Sequence, residues 1–111
     1  MQLNDRDKGY LWDMLDAAKD ILGFISDVHY EQFEANKMIR FAVERQLLVI
    51  GEAANHVSDE AQSGITSIPW KSIIGLRNII AHDYGEILIA NIWKVSTRNI
   101  PELINELKKF V

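Results

Sequence analysis

The 111-residue sequence predicts an all-α bundle of four or five helices, on three observations. Apolar residues recur at three- and four-residue spacing over long stretches, and no stretch alternates in the manner of a half-buried strand. Six glycines and two prolines stand as single breakers between those stretches, so the helices are joined by short loops.

The first helix begins near Asn4 or Asp5, either of which caps free N–H groups, and carries Leu11, Met14, Leu15, Ala18, Ile21, Leu22 and Ile25 along one face. Asp13, Asp16 and Asp20 then fall on the wet side. After a polar break from Ser26 to Tyr30, Glu31 to Ala35 reads as a short turn, and Asn36 caps a long helix from Lys37 to Asp59. Its buried stripe is Ile39, Ala42, Val43, Gln46, Leu47, Ile50, Ala53 and Val57. Gly51 inside it costs about 1 kcal/mol relative to alanine, and with Ala53 and Ala54 beside it the glycine implies a closely packed neighbour, either a second helix or a second subunit.

Gln62 to Ile68 has turn chemistry, and Pro69 suits the start of a third helix running to Ala81, with Trp70, Ile73, Ile74 and Ile80 as its apolar contacts. A further helix is expected over Leu88 to Arg98, and a last one over Ile100 to Phe110 with Pro101 in its first turn. With no repeat and no long linker, residues 1–111 read as a single domain. High apolar content in so short a chain suggests that some surface is shared with a second copy, a homodimer.

Composition narrows the function. The chain has no cysteine, which excludes a disulfide scaffold and a thiolate zinc site and favours a reducing, cytoplasmic setting. It has neither a run of 18 apolar residues nor an apolar N-terminal leader, so membrane and secretory readings are not expected. Net charge is -4, yet it is unevenly placed: residues 1–65 hold six basic and twelve acidic side chains, residues 66–111 six basic and four acidic. An anion-handling surface is therefore expected in the second half.

Of the three histidines, His29 lies in a polar break with nothing to suggest a role. His56 follows Glu52 by four residues, a spacing that can hold a metal, but further ligands are lacking, and no metal or cofactor is expected. Arg77-Asn78-Ile79-Ile80-Ala81-His82-Asp83-Tyr84 is denser in polar and ionisable groups. On an ideal helix Arg77 and His82 are about 140° apart, so they converge only if the helix ends or bends near Ala81, as Gly85 would allow. Two readings stay open. In one, Arg77 pairs with Asp83, His82 caps the last carbonyls and Tyr84 packs under the next helix. In the other, an imidazole that titrates near neutrality and an arginine fork supply the parts for metal-free cleavage of an RNA phosphodiester. With one such histidine per chain, the acid and base roles would be divided between two motifs facing each other across a dimer.

Arg77, His82 and Tyr84, spaced by four residues and then one, resemble the R-x4-6-H-x-Y motif of the HEPN superfamily. Glu44-Arg45-Gln46-Leu47, Ile50-Gly51-Glu52-Ala53, Ile68-Pro69-Trp70 and Gly75-Leu76-Arg77-Asn78 resemble, in that order, its HepT-like branch, and the likeness covers about residues 4 to 110. The resemblance implies a HEPN-type bundle forming a homodimer, with the motif in a cleft between protomers, and the activity of a metal-independent endoribonuclease: the toxin of a type VII toxin–antitoxin system. It makes Arg77 the holder of the scissile phosphate, His82 the acid or base, and Asn78 and Asp83 polar support. Tyr84 becomes the residue that a cognate minimal nucleotidyltransferase, the antitoxin, modifies with AMP. Such a group would place bulk and negative charge beside Arg77 and repel RNA. The acidic first half would then discourage nucleic acid away from the cleft. The alternative is a non-catalytic helical subunit that docks the nucleotidyltransferase. RNA target, cleavage position, number of AMP groups and stoichiometry with the antitoxin are not legible from the sequence.

Overall fold

A computed structural model describes residues 2–82 and 86–111, with side chains at 86 and 87 left aside. The described residues are helical, without strands. Helix α1 spans Asp5–Phe24, α2 Tyr30–Ala35, α3 Lys37–His56, α4 Asp59–Gly64, α5 Trp70–His82, α6 Glu86–Lys94 and α7 Ile100–Leu107, with a π turn at Val95–Asn99. Helix α3 is the central rod, packed against both α1 and α5, while α7 closes on α1.

The long helices follow their caps and stripes. The Asn4 side chain accepts from the Asp7 N–H at 2.7 Å, and the Asn36 side chain from the Ile39 N–H at 3.1 Å. Leu11, Met14, Leu15, Ala18 and Ile21 of α1 are buried against Val43, Leu47, Ile50 and Ala54 of α3, and Leu103, Ile104 and Leu107 of α7 complete the core.

Three boundaries differ from the expectation, each for a local reason. Helix α3 stops at His56 rather than Asp59, because Val57 turns extended and buries its side chain while Ser58 caps a new helix, its hydroxyl accepting from the Ala61 N–H at 3.2 Å. The Gln62 side chain then donates to the Ala54 and Val57 carbonyls, satisfying the end of α3, so part of the expected turn is the short helix α4. The expected helices over 88–98 and 100–110 run on from one another. Pro101 has no N–H to continue the helical ladder, and one residue before it the Ile100 N–H reaches back to Val95 in the wider π turn. Ser96 and Thr97 hydroxyls donate to the Ile92 and Trp93 carbonyls there, at 2.8 and 2.9 Å. With α2 and α4 formed, the bundle has more helical segments than the four or five expected. Phe33 of α2, which the pattern did not single out, is fully buried with its ring 5.1 Å from that of Trp93.

Asp7 is not one of the surface acids. It is 4% exposed, and its carboxylate accepts from the Ser58 N–H at 2.9 Å and the Ser58 hydroxyl at 2.7 Å, tying the start of α1 to the start of α4. Removing it strands half-buried donors, so Asp7→Ala should lower stability by about 1–3 kcal/mol in urea unfolding. A loss within error would show that Ser58 finds other partners.

Candidate functional site

Helix α5 seats its functional face on Gly51 of α3. A Cβ added to Gly51 would lie 2.5 Å from the Cβ of Arg77, so the glycine is the groove that receives the arginine stem. The close neighbour expected at Gly51 is thus a helix of the same chain. Glycine lets the two helices approach until the guanidinium reaches the carboxylate of Glu52, one residue along.

That guanidinium pairs with Glu52 through one nitrogen and donates to Asn78 Oδ1 through another at 3.1 Å. On its other side, Glu52 lies 3.0 Å from His56 Nε2. The His56 hydrogen bond, followed by the Arg77 one, holds the Glu52 carboxyl below its usual range. A depressed carboxylate contributes stability above its unfolded value and loses it as pH falls through the folded one, so this contact weakens only in acid. His56 in turn stacks on Tyr10 of α1, ring centroids 5.3 Å apart and planes 21° from parallel.

These residues line a cleft of about 550 Å³ with Arg45, Leu48, Val49, Ala53, Ala81 and His82. Helix α5 ends at His82, one residue beyond the end expected near Ala81. Asn78 and His82 share one helical face and Arg77 and Ala81 the adjacent one, and a cleft this wide spans both. Asp83 and Tyr84 lie outside the described residues, and so does the Arg77–Asp83 ion pair; the partners described for Arg77 are Glu52 and Asn78.

Charge in the cleft opposes that of the chain. Arg45 and Arg77 face it with Glu52 as the one carboxylate among the described lining, so a surface suited to phosphate sits in a protein of net charge -4. A second cavity of about 280 Å³, lined by Leu47, Ile50, Ile73, Leu76 and Leu103, has Glu102 and Glu106 as its ionisable groups, the wrong sign for a phosphate.

Sequence reasoning placed the anion surface in the second half, yet Tyr10, Arg45, Glu52 and His56 come from the first. The i,i+4 spacing of Glu52 and His56 was the available signal, weighed for a metal and set aside for want of further ligands. Among the described residues no three His, Asp or Glu side chains gather as a metal site, and Glu52 is committed to Arg77. Nothing local marks Tyr10. His29 is not among the described lining of the cleft; it caps α2, its backbone N–H donating to Gln32. No described helix is long and apolar enough to cross a membrane.

Comparison with known proteins gives the family. Residues 14–110 match the family model "Ribonuclease HepT-like". The chain is 38% identical to "Putative RNase MJ1380" of Methanocaldococcus jannaschii, over 91% of this chain and 93% of that protein. It is 30% identical to "Probable ribonuclease HepT" of Thermococcus cleftensis, over 92% and 93% respectively. No solved structure gives a significant match. A chain helical in its described residues, whose Arg77 and His82 line one cleft and whose residues 14–110 match that model, belongs to the HepT-like ribonuclease family.

Proposed function

We propose that the protein is a metal-independent endoribonuclease, the toxin of a type VII toxin–antitoxin pair. The observation that carries this reading is the shared cleft, in which Arg77 and His82 stand beside Asn78 in a basic wall. Arg77 holds the scissile phosphate and neutralises charge as the phosphorane forms, while His82 moves the proton at the 2′-hydroxyl or at the leaving 5′-oxygen. Asn78 keeps the guanidinium aimed, and Asp83 adds polar support. One His82 per chain fits an arrangement in which a second protomer completes the acid–base pair. In support of that homodimer, α3 exposes Met38 at 83% and Phe41 at 58% on the same face as Arg45, Leu48 and Glu52 of the cleft.

Adenylylation of Tyr84 by a cognate nucleotidyltransferase is the switch that fits this chemistry. Two residues beyond His82, an added phosphodiester would compete for Arg77 and repel RNA.

The test is cleavage of an RNA panel by the purified, partner-free protein in EDTA. Cleavage supports the ribonuclease; silence on every RNA while a nucleotidyltransferase still binds would replace it with the binding-subunit reading. Glu52 supplies a finer check. In the free protein it occupies the guanidinium that a phosphate needs, so Glu52→Gln, which keeps polar contact but removes the charge, should tighten RNA binding several-fold and steepen its salt dependence. Equal or weaker binding would mean that Arg77 is not the phosphate holder.

A further inference from the structure

The cleft holds an aromatic pair that the phosphate chemistry leaves unused. Tyr10 comes from α1 and His56 from the last turn of α3; the rings stack in offset, near-parallel fashion with centroids 5.3 Å apart, and the Arg6 guanidinium lies 5.9 Å from the Tyr10 ring centre. Tyr10 covers one face of the imidazole, yet the His56 side chain remains 47% exposed. The ring's edge is fixed as well, because Nε2 meets the Glu52 carboxylate at 3.0 Å.

That same carboxylate holds Arg77. A flat ring backed by Tyr10 and still 47% exposed therefore stands two hydrogen bonds from the guanidinium, with the Glu52 carboxylate between them, and both line the same cleft. Unpaired nucleobases stack on such rings, and a single nucleotide joins a base to a phosphate over a span of this kind. A metal role for His56 is disfavoured by the missing ligands and by the commitment of Glu52 to Arg77.

We propose that His56, backed by Tyr10, is a base-stacking platform for single-stranded RNA, receiving a nucleobase next to the phosphate held by Arg77. This inference rests on the ribonuclease reading. It gives the site a preference for unpaired over duplex RNA, since only a splayed base reaches the ring.

The test measures binding of a short single-stranded RNA to ring variants in a His82→Ala background, which removes cleavage. Tyr10→Leu and His56→Leu should each weaken binding about tenfold, whereas Tyr10→Phe and His56→Phe, which keep a ring, stay close to the parent. An abasic residue at one position of the RNA should cost the parent the same factor and cost the leucine variants nothing further. Leucine variants that bind like the parent, or abasic and ring losses that multiply in full, would overturn the platform. The wild type run in parallel separates the two readings: cutting with no ring effect removes the platform alone, while neither cutting nor binding removes both.

Discussion

His82→Ala is expected to lower RNA cleavage by about 10²- to 10⁴-fold, the range for losing a positioned acid or base. The fold should survive, because His82 is exposed in the last turn of α5 and the core beneath it is made by Ile80. Two readouts separate this from a structural role. Melting temperature should hold, whereas loss of a purely structural helix cap would cost about 0.5–2 kcal/mol and lower it by several degrees, and RNA binding by the variant should persist because Arg77 and Arg45 remain. A variant that cuts as fast as the parent would remove His82 from the mechanism and leave the cleft as a binding surface.

Gly51→Ala is expected to damage activity more than stability. The added methyl would sit 2.5 Å from the Arg77 Cβ, and the obstacle is the root of a side chain on a packed helix, which cannot swing aside. Overpacking of this kind costs about 1–3 kcal/mol, offset by about 1 kcal/mol of helix propensity gained on replacing glycine. The net loss should therefore be about 2 kcal/mol or less. For α5 to accommodate the methyl it must back away from α3, carrying Arg77 with it, and a misplacement of about 1 Å can cost about 10²-fold in rate. Cleavage and urea unfolding measured on the same preparation check this. Full activity at full stability would mean that α5 shifts without moving the guanidinium.

Much of the bundle was legible because its signals are local. Asn4 and Asn36 cap the helices they were expected to cap, and the α1 stripe from Leu11 to Ile21 is the buried one. The misreadings arose where a distant residue takes part. Ser58 ends α3 early with its backbone N–H and hydroxyl held by Asp7, 51 residues away. Phe33 stood in a stretch read as a turn, since its burial comes from packing with Trp93 of α6.

The candidate site divides in the same way. Arg77 and His82 could be named from their spacing, because a single helix carries both and their chemistry resides in their own side chains. The end of that helix near Ala81 could be expected from the sequence as well, and α5 stops at His82. Glu52, His56, Arg45 and Tyr10 join the site only because α1 and α3 bring their flanks to α5, and Gly51 sets how near α5 can come. Helix class, caps and the motif are properties of short stretches of chain and so can be read along it. The partner of Arg77, the ring behind His56 and the sign of charge in the cleft are sums over residues far apart in sequence, and they exist only once the helices pack.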